Sequence, residues 1–141
     1  MTTIKVEIDG LSQLLAQLAK VQDVGEDVVL ETIVDLVTDT HALAVAGIEG
    51  GPKTGRTYGI HTASAPGQYP ASDTGRLAGS VRMETPGGGD RTGRVGTSVA
   101  YGPMLEFGTS RMLPRPWLLP SFQQATIGVE KELRARLEAR I

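Results

Sequence analysis

All eight prolines and most of the eighteen glycines lie between residues 47 and 120. Proline removes a backbone donor and clashes inside a helix, and glycine there is entropically costly. Long helices are therefore confined to the two ends of the chain, and the middle is left to loops and short strands. A chain of 141 residues is one domain by size, spanning 1–141, with room for a modest core. One Trp, three Tyr and two Phe are too few to build that core, so Val, Leu, Ile and Ala must. Within the punctuated middle, Tyr101–Pro120 stands apart: it holds Trp117 and Phe107 inside the strings Glu106-Phe107-Gly108-Thr109 and Arg115-Pro116-Trp117.

Periodicity supplies the elements. Residues 3–8 alternate apolar and polar, the pattern of a half-buried strand, and Asp9-Gly10 ends it. Leu11, Leu14, Leu15 and Leu18 predict a short amphipathic helix over about 10–21. Val28, Val29, Ile33, Leu36, Val37, Ala44 and Ile48 predict a longer one over about 25–48, with acids near its start. Residues 51–72 show no period and read as a long irregular arm, a candidate for ordering only within an assembly. Asp73–Val81 reads as a capped helical turn entering a strand in which Val81, Met83 and Thr85 share a face. Pro86–Asp90 is a hairpin tip and 94–100 the return strand, which with 3–8 gives an antiparallel sheet of at least three strands. Tyr101–Phe107 suits one or two helical turns ended by Gly108. A last helix is expected from 117 or 120 to the end, with Glu130–Arg134 and Glu132–Arg136 pairs along it. The expected class is α+β: a small antiparallel sheet packed on a long central helix and a C-terminal helix, with a long loop arm.

Charge is uneven along the chain. Residues 1–50 carry two Lys and nine acids; residues 51–95 carry six basic and three acidic side chains. Solvated faces account for this, and a polarised protomer that meets its own copies or DNA is the sharper reading. The chain has no cysteine, which excludes disulfides and thiolate metal sites and fits a cytosolic origin. No apolar run reaches the length of a membrane span, and the alternating start is not that of a signal peptide.

Patterns for chemistry are sparse. His41 and His61 are the two histidines, and neither stands in a metal-ligand spacing. Ser64, His61 and Asp73 are the residues from which a hydrolase triad would be assembled. Glu106 is the one acid in a well-structured motif and lacks a second carboxylate nearby; Arg111 or Arg115 is its expected partner. Gly87-Gly88-Gly89 lacks the Lys-Ser/Thr ending of a phosphate loop. Lys53, Arg56, Arg76, Arg91 and Arg94 put positive charge on loops, but a pI near 5.7 is not that of a dedicated DNA-binding domain.

Four motifs in order carry a resemblance. They are Ile4-Lys5-Val6-Glu7-Ile8-Asp9-Gly10-Leu11-x-x-Leu14; Ala65-Pro66-Gly67-Gln68-Tyr69-Pro70 with Asp73-Thr74-Gly75-Arg76-Leu77-x-x-Ser80-Val81; Val95-Gly96-Thr97-x-x-Ala100-Tyr101-Gly102-x-x-Leu105-Glu106-Phe107-Gly108-Thr109; and Met112-x-Pro114-Arg115-Pro116-Trp117-Leu118-x-Pro120-Ser121-Phe122. Together they resemble the tailed-phage morphogenesis proteins of the neck, also described as tail-completion or head–tail joining proteins, which occur as well in prophages and phage-like gene transfer agents. The third and fourth motifs are the specific ones. The run between Gly50 and Tyr69 is longer than in some members.

The resemblance implies a structural virion protein without enzymatic activity or cofactor. It implies a ring of identical protomers, sixfold, that completes the tail tube and joins it to the head connector. Its partners would be copies of itself, tail-tube protein and head-closure proteins, in the virion and, during assembly, in the host cytoplasm; no membrane is involved. Candidate motif or interface residues are Asp73, Thr74, Gly75, Arg76, Tyr101, Glu106, Phe107, Gly108, Thr109, Arg115, Pro116 and Trp117. Lys53, Arg56, Arg91 and Arg94 are candidates to face DNA in the channel, and the alternative function is a DNA-contacting gate or packaging accessory. Each motif also has a local role to weigh. Glu106–Thr109 suits a helix end with left-handed Gly108 and Phe107 in the core. Arg115–Leu118 suits a rigid lead into the last helix anchored by Trp117, against an interface role for Arg115 and Trp117.

Overall fold

A computed structural model describes residues 2–5, 10–12, 22–51, 54–58 and 61–140. Its elements in order are β1 (Thr2–Lys5), α1 (Gln22–Gly50), β2 (Thr57–Tyr58), β3 (His61–Thr62), α2 (Arg76–Ser80), β4 (Val81–Glu84), β5 (Arg94–Thr97), α3 (Tyr101–Phe107), α4 (Leu119–Ala125) and α5 (Val129–Arg140). This is the expected α+β class. Most of the helix expected over 10–21 lies outside the described residues; Leu11 and Ser12 are helical.

The long helix α1 organises the rest. Val28, Val29, Ile33, Val37, Ala44 and Ile48 are buried along it, in one core cluster with Leu77, Ala78, Val81 and Val95 from the sheet side, Trp117 and Leu118 from the lead into α4, and Leu133 and Leu137 from α5. Its β-branched content weakens intrinsic helicity, so burial on these flanks must hold it. Thr32 and Thr40 are buried on this helix without orphaned hydroxyls, because each donates to the carbonyl four residues back, Val28 and Leu36, at 2.8 and 2.7 Å.

The main sheet is antiparallel with strand order β1-β5-β4. Thr2 faces Thr97 across β1 and β5, and Val81 faces Thr97 across β4 and β5. The turn between β4 and β5 closes at a Gly87–Asp90 bridge, as the glycine run predicted. On β4 only Val81 is buried; Met83 faces solvent, so the expected shared apolar face does not extend past the first residue. His41 Nε2 lies 3.1 Å from the Val81 carbonyl and ties α1 to this strand.

Three expectations change. The last helix is two helices, because Gly128 takes φ of 80° and the chain turns at 126–128 before α5. The turn at Asp73 carries no side-chain cap: Gly75 occupies the N-cap of α2, and Asp73 instead approaches His61. The arm is not irregular throughout. β2 and β3 pair with Thr57 opposite Thr62, a ladder too short to leave a period in the sequence. Gln68 Oε1 then accepts from the Ala65 amide and the Thr54 hydroxyl, so the described part of the arm is folded against its own chain rather than waiting for a partner.

Three acids of the N-terminal half are matched by arginines from later in the chain. Arg91 pairs with Glu26 at 2.7 Å, Arg140 makes two hydrogen bonds to Glu31, and Arg136 bridges Asp35 and Glu132. The hydrogen bond to Asp35 is the largest influence holding the Arg136 pKa above its ordinary value. Glu130–Arg134 forms as predicted, at 3.0 Å. The Arg136–Asp35 and Arg140–Glu31 pairs, at the surface, bind α5 to α1 weakly; the buried leucines carry the packing. Leu133→Ala is expected to cost about 2–5 kcal/mol of stability. Arg140→Ala is expected to cost less than about 1 kcal/mol. Urea unfolding of both variants compares the two contributions directly.

Candidate functional site

Tyr101–Pro120 folds as a helix, a tight turn and an extended lead into the next helix. The joint between them is Glu106. Its side chain is buried on the inner face of α3, and its carboxylate accepts three backbone N–H groups: Trp117 and Leu118 at 2.8 Å on Oε2 and Leu119 at 2.9 Å on Oε1. These amides lead into α4, where the first turn of a helix has donors without intrahelical partners. An ionised acceptor there makes short, charge-assisted bonds and suits the helix dipole. Glu106 thus caps α4 from another element. No arginine partners it, against the sequence expectation of Arg111 or Arg115.

The rest of the joint follows from this clamp. Trp117 is 1% exposed, and its indole N–H donates to the Gly102 carbonyl at 3.0 Å. Gly102 sits so close to Thr97 that a Cβ would collide with that side chain, which lets α3 lie flat on the end of β5. Gly108 ends α3 with φ 75° and ψ 178°, a region open essentially to glycine alone, and a Cβ would come within 2.8 Å of the Met112 carbonyl. The turn Thr109–Met112 then closes on itself, with the Thr109 amide donating to Met112 O at 2.8 Å. The Arg115 amide donates to Leu105 O at 2.7 Å, and its Nε to the Ser64 carbonyl at 3.2 Å. Pro114 O accepts from the Gly67 amide at 2.9 Å, so the arm is stitched to the same joint. Pro116 is half-buried between Arg115 and Trp117.

The outer face of α3 is its opposite in character. Tyr101, Met104 and Phe107 follow one another at three-residue spacing and are 37%, 51% and 70% exposed. Leu113, beyond the turn, is exposed as well. Of the two readings of Phe107, the core one is not met, while Trp117 is core rather than interface: reaching a partner would require unseating it.

Asp73, Thr74, Gly75 and Arg76 gather with Tyr101 around an open groove of about 390 Å³, floored by Ile48 and walled by Pro70 and Leu105. The Arg76 guanidinium stands 6.0 Å from the Tyr101 ring centroid. His61 Nδ1 is 3.6 Å from Asp73 Oδ1, but the Ser64 hydroxyl is buried without a hydrogen-bond partner, neither joined to His61 nor open to a substrate. Among the described residues no group of His, Asp and Glu is arranged to hold a metal ion. No helix among them is long and apolar enough to cross a membrane.

The described cations proposed to face DNA all have partners within the chain. Arg91 pairs with Glu26, Arg94 with Glu84 and Asp90, and Arg56 stacks over Tyr58 at 5.5 Å; Lys53 lies outside the described residues.

The chain matches no protein-family model, no curated protein and no solved structure.

The sequence flagged Glu106, Gly108, Arg115, Pro116 and Trp117, and the structure brings them together. It missed Gly102, Met104 and the docking of Ser64 and Gly67. Met104 was findable, since it lies three residues from both Tyr101 and Phe107. The Gly102 contact depends on where β5 ends in space and left no local signal. Glu106→Ala leaves three amides without their acceptor and is expected to cost at least about 3 kcal/mol. Trp117→Ala is expected to cost about 3–5 kcal/mol. A Glu106→Ala midpoint in urea indistinguishable from wild type would show that the clamp contributes nothing.

Proposed function

We propose that this chain is a structural subunit of a phage-type neck, forming a ring that completes the tail tube and joins it to the head connector. The observation that carries this reading is the two-sided character of α3. Its inner face is fixed by the buried Glu106 clamp, and its outer face holds Tyr101, Met104 and Phe107 toward solvent. Large exposed apolar residues grouped on one rigid element mark an interaction surface rather than scattered surface hydrophobes. Presenting them from a locked scaffold lowers the ordering cost of association. The motif order over nearly the whole chain supports the neck assignment in particular, and a closed ring is the arrangement that repeated head-to-tail contacts of one protomer produce.

The alternative of a DNA-contacting gate has less support, because Arg91 and Arg94 are already matched by acids of the same chain.

Phe107→Asp tests the reading without touching the core. The variant is expected to keep the wild-type circular dichroism spectrum and to lose ring formation in mass photometry, with and without tail-tube protein. A variant that forms rings as the wild type does would contradict an assembly role for this face.

A further inference from the structure

The outer face of α3 has a charge pattern as well as an apolar one. Arg76 stands beside Tyr101 at one end of the stripe, and Arg111 lies in the turn just beyond Phe107 at the other. Both are exposed, and among the described residues neither is paired with a carboxylate. Between them the stripe Tyr101–Met104–Phe107 spans about 9 Å of helix at 1.5 Å per residue.

A surface with the complementary pattern exists on α1. Glu26, Glu31 and Asp35 are neutralised by Arg91, Arg140 and Arg136. Asp39 and Glu49 are exposed and are not matched in this way. Asp27 is unmatched too, but it lies near the helix start, where the dipole favours an acid. Asp39, Ala42, Ala46 and Glu49 recur at three- and four-residue steps, so they share one side of the helix, and all four are exposed. The two carboxylates are about 15 Å apart along the axis, and the alanines between them leave room for bulky side chains.

We propose that the α3 stripe of one copy seats on this side of α1 in the next copy, with Arg76 and Arg111 meeting Asp39 and Glu49. The occupant is a second copy of the chain because the two surfaces are opposite in sign at both ends, small alanines face bulky side chains between them, and all of these residues are exposed in one protomer. The contact is heterologous: each copy offers α3 to one neighbour and α1 to the other, which builds a ring or a helical array and not a closed dimer. The inference rests on the ring reading above and supplies its interface.

The test is a charge exchange. Arg76→Glu/Arg111→Glu places acids against acids, and Asp39→Arg/Glu49→Arg places cations against cations. Either variant alone is expected to raise the concentration needed for self-association by at least about tenfold, the equivalent of 1.4 kcal/mol, since like charges at an interface are strongly disfavoured. An equimolar mixture restores opposite signs at every contact and is expected to recover assembly as alternating copies. All four positions are exposed, and circular dichroism checks that each variant is folded. Mass photometry and sedimentation velocity read the outcome. Either variant assembling alone as wild type does, or a mixture that fails to recover, overturns this contact while wild-type rings leave the ring reading standing. A wild-type chain that stays monomeric at every concentration, with and without tail-tube protein, overturns both.

Discussion

One carboxylate holds the joint between α3 and α4 in place. Glu106 reaches from α3 to the three amides that open α4, across a segment that contains no helix or strand, only the Thr109–Met112 bridge. Helix starts are usually capped by a neighbouring Ser, Thr, Asp or Asn. Here the cap comes from eleven residues upstream of the first amide it binds, so one interaction both satisfies a helix end and closes a loop. The Pro114-Arg115-Pro116 lead keeps the connecting strand extended, and the buried Trp117 indole pins it to Gly102. Arg115 and Pro114 then gather the arm at Ser64 and Gly67. Removing the carboxylate would release all of these together.

The clamp explains how an apolar face stays outside. A seven-residue helix has little stability of its own. With Gly102 and Glu106 buried on one side, α3 has no freedom to turn its outer residues inward, and Tyr101, Met104 and Phe107 remain exposed. The stability of the joint and the presentation of that face are one arrangement. The charges follow a similar division. Glu26, Glu31 and Asp35 of α1 are matched by arginines far along the chain, whereas Asp39 and Glu49 are exposed.

Much of the fold was readable because it rests on local rules. The α1 stripe from Val28 to Ile48, the strands around the glycine tip, the three-stranded pairing and the Glu130–Arg134 pair all follow from period and spacing. The failures share a different cause. Gly128 was hidden because the apolar spacing of Leu118, Phe122, Ala125 and Val129 runs through the break without interruption. The β2–β3 pair is two residues long on each strand and has no period to detect. By sequence Phe107 reads both as an interface candidate and as a core residue at a helix end; the core position goes instead to Glu106 beside it, whose carboxylate accepts three amides. The motif was legible as an important segment; which of its residues points inward was decided by backbone hydrogen bonding that spacing does not encode.

Native-state hydrogen exchange of the Trp117, Leu118 and Leu119 amides tests the central claim most directly. These amides precede or only begin a helix, and their hydrogen bonds go to the Glu106 carboxylate. The account predicts protection approaching that of the buried α1 amides around Ile33 and Val37, lost selectively in Glu106→Gln. Exchange at the rate of an open loop in the wild-type protein would contradict it.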